Sequence, residues 1–580
     1  MPRAAVAALR IVSIAALGVV AGTLASLAAI GFVETVALLN DWLLVSPRSR
    51  FMAGDPLLLT VATICVPAAG GLIVGVLHRY MPDRRPHGPP DIIRAAHLHD
   101  GRMPARAGFL SALTSLVSLG SGASVGQYGP LAHLGATLGS LAARFDRNSR
   151  WMGTAGVGCG AAAAIATAFN APIAGIIFAH EVILRHYSLR TFAPITVAAT
   201  IGYVVANIVF ERPPLFQVEA VSVKAAPEFL GFILIGAVGA FVAVLYMRAI
   251  LFAGRVARSL PLADWSKPML AGAALGVAAI WLPDILGIGK ETLRFAVIDG
   301  AFAPAELAAL LVAKIAATAL CIGFGFAGGV FSPALLIGIL FGALAGVGAE
   351  PLLGDLRSDI AIYAICGMVA VTSAVIGAPL TAILIVFELT RNYDLATAAM
   401  VSVVFSNLVS YRIFGRSLFD VQLRAGGFDL ASGRDRAILD LRPIDGYLSQ
   451  DYTALAPDTP PAKAKSRLVG DRRHEGYVVD TDGRYLGTVK LDELVAWEDG
   501  GGAASGATVA HLAKPEALIF TGGMSIWAAM EQMGDFVGES IPVLEDGEDG
   551  RMLGVVFEAA IVKAWLDTMN DMRREENAGA

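Results

Sequence analysis

The feature that most constrains this fold is a series of long stretches with no charged side chain. Residues 107–143 run for 37 positions without one, apart from His133. Residues 151–179, 315–349 and 360–387 run for 29, 35 and 28. A helix needs about 20 apolar residues to cross the hydrocarbon core of a bilayer. Shorter uncharged runs at 11–33, 56–77, 191–210, 229–247, 268–283 and 395–411 fill the intervals. The first, 23 residues long, exceeds the 7–15 or so of a signal-peptide core and predicts a retained helix. The chain is 56% hydrophobic and 16% charged, against about 25% charged in a soluble domain. Net charge is -5, so the broad basic footprint of a nucleic-acid binder is missing. Cys65, Cys159, Cys321 and Cys366 lie in apolar stretches with no short spacing, which suggests neither a zinc site nor a disulfide framework.

The membrane part repeats itself. Ala171-Pro-Ile-Ala-Gly-Ile-Ile-Phe-Ala-His-Glu181-Val182 aligns without gaps on Ala378-Pro-Leu-Thr-Ala-Ile-Leu-Ile-Val-Phe-Glu388-Leu389. Each copy follows a longer uncharged run that holds a Gly-rich break ending in Pro. The breaks are Gly126-Gln-Tyr-Gly129-Pro130 and Gly328-Gly-Val-Phe-Ser-Pro333, lying 42 and 46 residues before the Ala-Pro prolines. Broken helices are tolerated in membranes where the freed backbone is buried or lines a cavity. Paired breaks at matching positions point to a substrate site between two related halves. A helix starting after each break offers backbone N–H groups and a positive dipole end. Two such ends facing each other form an anion site without Lys or Arg, and neither break contains either residue. The competing reading is two loop turns or small-residue packing faces.

These segments resemble the CLC family of chloride channels and chloride/proton antiporters. Leu119-Gly-Ser-Gly-Ala-Ser-Val-Gly126-Gln-Tyr-Gly-Pro130 resembles the family's G-K/R-E-G-P segment, and Gly328–Pro333 its G-x-F-x-P segment. Phe169-Asn-Ala-Pro-Ile-Ala-Gly175 and the Ala378-Pro copy fit as well. Pro86-His-Gly-Pro-Pro90 stands where the family has G-S-G-I-P, and Ser417-Leu-Phe419 where Ser/Pro-Leu-Tyr is usual. The resemblance covers residues 10–425. It implies an all-α polytopic membrane domain of inverted repeats with broken helices, a homodimer, and one anion pathway per subunit. It also implies an anion held by His87, Gly88, Gly126, Gln127, Tyr128, Gly129, Val330, Phe331 and Phe419.

The departures from the family pattern carry the functional argument. The gating glutamate falls on Tyr128, whose phenol has an ordinary pKa near 10 and stays neutral at physiological pH. Tyr128 then reads as a gate, a selectivity ring or a plug. The antiporters' inner proton glutamate falls on Val182, which carries no proton. His87 replaces the central serine and Phe419 the central tyrosine, so two hydroxyl donors are lost. An imidazole can replace one, and its titration near pH 6.5 makes anion binding there pH-sensitive; the alternative has His87 facing solvent beside Arg84 and Arg85. Glu181 and Glu388, at matched repeat positions, read as helix-end or interface residues. His180-Glu181 and His186 do not form a metalloprotease motif, because histidines six apart are rotated by about 600° on a helix. No metal site is expected.

Beyond residue 425 charged residues crowd in and short apolar strands alternate with helices. Residues 426–443 read as a linker. Residues 444–499 and 507–570 then repeat one order of elements and resemble a cytosolic α/β tandem pair of CBS domains. Residues 500–506 read as a Gly/Ala/Ser linker and 571–580 as a disordered tail. Such pairs often bind adenine nucleotides through a Ser/Thr and a following Asp. Here Lys490 takes the Ser/Thr place before Asp492, and Phe557-Glu558-Ala-Ala560 lacks both residues. That weighs against a nucleotide cofactor and leaves a dimer-stabilising module as the competing reading.

The sequence therefore predicts a passive anion channel or uniporter rather than an enzyme. Its expected partners are chloride or another small inorganic anion, the lipid bilayer and a second copy of the chain. A bacterial inner membrane is the expected location. The alternatives are an anion/proton antiporter with an atypical proton path, a channel for bicarbonate, nitrate or fluoride, and a transport-inactive membrane sensor.

Overall fold

A computed structural model describes residues 3–145, 150–211, 222–430, 433–499, 507–516, 518–534, 536, 538–547 and 550–577. The chain divides into two compact units, Met1–Gly427 and Phe428–Ala578.

Among the described residues of the first unit, the long elements are all helices. Its first half comprises α1 (Arg3–Trp42), α2 (Pro47–Ala53), α3 (Pro56–His78), α4 (Pro89–Leu98), α5 (Ala105–Gly120), α6 (Tyr128–Ala142), α7 (Arg150–Phe169), α8 (Pro172–Phe178) and α9 (Leu189–Tyr203). The second half comprises α10 (Glu228–Ser259), α11 (Lys267–Ala278), α12 (Lys290–Phe295), α13 (Pro304–Gly323), α14 (Phe331–Leu353), α15 (Ile360–Ile376), α16 (Pro379–Thr390), α17 (Tyr393–Phe414) and α18 (Leu418–Ala425). Among the described residues, eight helices are long and apolar enough to cross a membrane. The uncharged run 107–143 breaks between α5 and α6, and the run 315–349 breaks between α13 and α14.

The halves pack in the same order. α6 lies on α7, α7 on α9, and α1 against both α7 and α9; likewise α14 lies on α15, α15 on α17, and α10 against both α15 and α17. Small residues set these contacts. Without water to drive helices together in lipid, close backbone approach supplies the packing energy. A Cβ at Gly160 of α7 would lie 1.9 Å from the Gly135 carbonyl oxygen of α6, and one at Gly338 of α14 lies 2.6 Å from the Gly367 oxygen of α15. Overpacking a filled interior costs about 1–3 kcal/mol where neighbours can yield, and a carbonyl inside a helix cannot. Gly160→Val therefore abolishes the monodisperse peak in detergent size-exclusion chromatography, whereas Gly231→Ala, which meets nothing within 4 Å, leaves it intact.

Helix starts follow local chemistry. Asp55 caps α3 by accepting the Leu57 N–H at 2.9 Å, with Pro56 in the first turn, where a missing N–H is harmless. α8 and α16 also begin on proline, immediately after the repeated alanine. α15 ends at Gly377, whose φ of 70° is left-handed and suits glycine.

The second unit holds two small sheets of identical topology. In the first, β1 (Ala454–Leu455) runs parallel to β2 (Glu475–Val479), which pairs antiparallel with β3 (Tyr485–Lys490). In the second, β4 (Phe520–Thr521), β5 (Ser540–Leu544) and β6 (Met552–Phe557) repeat this order. Both β2 and β5 show a register shift one residue before the strand end. Leu455, Leu468, Val478 and Val489 fill one core; Phe520, Ile541, Val543 and Val556 fill the other. Ser449 forms an isolated bridge with Val555, and the Tyr477 hydroxyl lies 2.7 Å from the Ser540 hydroxyl.

Two boundaries differ from the sequence reading. Residues 434–440, expected as linker, form a helix, Arg434–Asp440, and Leu439 is buried in the second core. The last helix runs to Asn577, so 571–577 is helical; 578–580 lie outside the described residues. So does the Gly/Ala/Ser stretch 500–506.

On β2, Glu475 faces Lys490 of β3 in register. Burial, with Glu516 and Glu539 nearby, holds its carboxyl above the usual glutamate range despite Lys490. A carboxyl raised on folding stabilises fully below its unfolded pKa, and that stabilisation is lost as pH rises through the folded value. Glu475→Gln, neutral at every pH, therefore slows hydrogen exchange of β2 and β3 relative to wild type at neutral pH and loses that advantage in acid.

Candidate anion site

The two breaks meet. The Gly126 N–H donates to the Gly329 carbonyl and the Gly329 N–H to the Gly126 carbonyl, both at 2.7 Å, forming an antiparallel bridge. Glycine is required for this approach. A Cβ at Gly126 would lie 2.7 Å from the Gly329 oxygen, and one at Gly329 would lie 3.0 Å from the Gly129 nitrogen. Antiparallel pairing of equivalent segments is what a two-fold relation between halves produces.

Immediately after the bridge, α6 and α14 begin. Each has proline as its third residue, Pro130 and Pro333, and each is preceded by a residue whose side chain makes no capping bond, Gln127 and Val330. The first N–H groups of a helix have no intrahelical acceptor, so the starts present donors and positive dipole ends to a shared point. One donor is used across the halves: the Gln127 N–H donates to Ser332 Oγ at 3.2 Å. A third start joins them. A Cβ at Gly129 would lie 3.5 Å from Pro89 Cδ, so α4, preceded by His87-Gly88, reaches the same place. α18, which carries buried Phe419 in its first turn, packs on α4. Ser417 caps α18 with Asp420 in a reciprocal box, and Asp420 Oδ1 accepts from Arg185 Nη1 at 2.5 Å. That pair borders a cavity of about 490 Å3 also lined by Tyr187, Asn407 and Ser417.

Tyr128 fills the meeting point. Its side chain is 2% exposed. Its ring stacks on Phe169 at 4.0 Å between centroids and stands edge-on to Phe331 at 5.4 Å. Phe169 and Phe331 touch each other at 5.3 Å. Offset-stacked and edge-on pairs within 4.5–7 Å are worth about 0.5–1.5 kcal/mol each beyond burial. The phenol is therefore gripped by one ring from each half.

His87 has a different setting. Its backbone N–H donates to Ser111 Oγ at 2.9 Å. Its Nε2 lies 3.1 Å from an Asp83 carboxylate oxygen, within ion-pair reach but off hydrogen-bond alignment. Its ring stands edge-on to that of His133 at 5.8 Å. The Gly88 N–H donates to Asp91, which Arg85 holds with two nitrogens at 2.6 and 3.1 Å.

Val182 is buried in the π-helical turn Ala179–Leu184 that extends α8. Its neighbour Glu181 caps the other half: it accepts from the Leu380 and Thr381 N–H groups at 2.9 and 2.8 Å, and from the Thr381 hydroxyl at 2.7 Å. Glu388 returns the contact, accepting from the Ile173 and Ala174 N–H groups at 2.9 and 2.7 Å. The matched glutamates are thus helix-start caps exchanged between α8 and α16. Among the described residues no cluster of His, Cys, Asp or Glu is arranged to hold a metal ion.

Two residues at this site went unassigned in the sequence. Phe169 was visible only as part of the Phe-Asn-Ala-Pro segment. His133 was visible as the lone interruption of the longest uncharged run.

The family described as voltage gated chloride channel matches residues 69–411, and the CBS domain matches residues 444–500. A chloride channel protein of ClcB-like type from Ralstonia nicotianae is 32% identical over 66% of this chain and 90% of its own length. A slow cyanobacterial Cl-/H+ antiporter superposes with a TM-score of 0.66 at 22% identity, covering 71% of this chain and 98% of that structure. A eukaryotic CLC transporter covers 95% of this chain and 98% of its own, with a TM-score of 0.61 at 18% identity. This chain is an integral membrane protein of the voltage-gated chloride channel (CLC) family, carrying a C-terminal CBS region.

Proposed function

We propose that this protein is a passive anion pathway, selective for chloride, with one pathway in each subunit of a homodimer. The observation that carries the reading is Tyr128, clasped between Phe169 and Phe331 where α6 and α14 begin. A neutral phenol there obstructs an anion sterically but does not shuttle a proton at physiological pH. Valine at position 182 removes the second carboxylate the family's antiporters use. Glu181, the nearest carboxylate, is committed to three donors, which argues for a structural duty. Chloride is favoured by the names of the similar proteins, and by helix starts that suit a small weakly held anion. His87, Gly88, Gly126, Gln127, Gly129, Val330, Phe331 and Phe419 complete the proposed pathway around Tyr128.

The CBS region is read as a cytosolic stabilising module of a bacterial inner-membrane protein. Lys490 lies 3.7 Å from Glu516 and pairs in register with Glu475, and two carboxylates beside the one cation disfavour a phosphate there.

Efflux from liposomes tests the proposal. Vesicles containing the full-length protein, loaded with the potassium salt of chloride, nitrate, bicarbonate or fluoride and made permeable to potassium by an ionophore, are released into isotonic medium. Chloride leaving fastest, dependent on protein, is the expected result. Absence of protein-dependent efflux for every anion contradicts the transport reading and favours a membrane sensor.

A further inference from the structure

His133 follows Gly129 by four residues on α6, so the two share a helix face. That face is where Gly129 meets Pro89 and Gly329. His133 is 2% exposed, and neither ring nitrogen has a hydrogen-bond partner within the described residues. Imidazole carries one donor and one acceptor when neutral and two donors when charged, and burying these unmet is costly. Such a side chain has bonding capacity left for a ligand. What lies around it defines which one. Three helix starts, those of α4, α6 and α14, turn positive dipole ends toward this place. The His87 ring stands edge-on at 5.8 Å, and His87 in turn reaches Asp83, whose side chain is 55% exposed.

A cationic imidazole alone opposes the converging helix starts, and an anion relieves that opposition. Proton and anion therefore each improve the site for the other, and the coupling is reciprocal. We propose that His133 is the proton-accepting group of the anion site: a small inorganic anion at the helix starts binds together with one proton on the His133 ring. The proton comes from solvent by way of Asp83 and His87, bonds to a ring nitrogen of His133, and returns by the same route when the anion leaves. It is not carried across the membrane. The charged and titratable groups acting on His133 are Asp91, His87 and Arg85, with Asp83 beyond His87. Arg85 holds Asp91 through two nitrogens and also lies 3.9 Å from the Asp83 oxygen that His87 meets; Asp83, the more exposed carboxylate, gives the His87 ring its way to solvent. The inference rests on the anion-pathway reading and deepens it.

Calorimetric titration of the full-length protein in detergent with sodium chloride tests it. Measurements at about pH 7.5 and about pH 5.5, on either side of the ordinary imidazole value, are repeated in two buffers of different ionisation enthalpy. Wild type is expected to take up about one proton per chloride and therefore to bind chloride about a hundredfold more tightly at the lower pH than at the higher. His133→Gln is expected to bind chloride with no proton uptake and no pH dependence. His87→Gln is expected to weaken chloride binding, since His87 borders the pathway, while keeping about one proton taken up for each chloride bound. The wild-type stoichiometry requires no variant, so a poorly folded His133→Gln does not protect the proposal. Chloride binding without proton uptake in wild type, or uptake lost in His87→Gln and kept in His133→Gln, overturns the assignment to His133 and leaves the pathway reading standing. Absence of chloride binding at both pH values overturns both.

Discussion

Replacing Tyr128 with alanine raises chloride efflux about tenfold or more. The phenol is held by a stack on Phe169 and an edge contact with Phe331. Two such contacts contribute about 1–3 kcal/mol together to the barrier for swinging the ring aside, and each 1.4 kcal/mol or so is tenfold in rate. Tyr128→Phe keeps both contacts and removes only the hydroxyl, so its efflux changes far less than that of the alanine variant. Tyr128→Glu installs a further titrating group, and efflux through it gains a dependence on pH beyond that of the alanine variant. These comparisons are made by chloride-electrode recording from liposomes at matched protein density. Wild-type efflux in Tyr128→Ala removes Tyr128 from the gate.

Loss of either repeated glutamate unfolds the membrane unit well before it alters transport. Glu181 and Glu388 each accept two backbone N–H groups from the first turn of the opposite half's helix. Each orphaned donor costs about 1–3 kcal/mol, so Glu388→Ala is expected to lose about 2–6 kcal/mol. Glu388→Gln recovers only part of this, because one amide oxygen replaces two carboxylate oxygens and the amide nitrogen faces a donor. Thermal unfolding in detergent measures these losses, and the double variant is expected to fall below the threshold for purification. Glutamate to glutamine changes that leave stability untouched but alter proton movement would assign these residues to a proton path instead.

The parts of this architecture legible in the sequence are those set by local chemistry. Glycine and proline mark the two breaks because the chain must turn and approach closely there, and the absence of charge marks the buried runs. The Ala-Pro copies marked the repeat, and the equal spacing of Glu181 and Glu388 from their prolines marked them as helix-end or interface residues. Which donors they satisfy was not legible, since each acts on the other half, some 200 residues away. Helix ends were blurred for a related reason. α1 extends from Arg3 to Trp42, past Arg10 and Glu34, because turns outside the hydrocarbon tolerate charge that a search for uncharged runs treats as a boundary. The contacts around the site are tertiary. Phe169 meets Tyr128 from the far end of α7, and His133 meets His87 across α4 and α6; neither pair has a periodic signature. The segment 434–440 was misread as linker because its apolar residues acquire meaning only against the second CBS-like core.

In the proposed pathway anions cross without protons. This is tested by reconstituting the full-length protein in liposomes, imposing a chloride gradient, clamping the membrane potential with a potassium ionophore, and recording chloride and external pH together. Protein-dependent chloride movement is expected, with no proton movement against its gradient. Uphill proton movement driven by the chloride gradient would contradict it and make this chain a coupled antiporter.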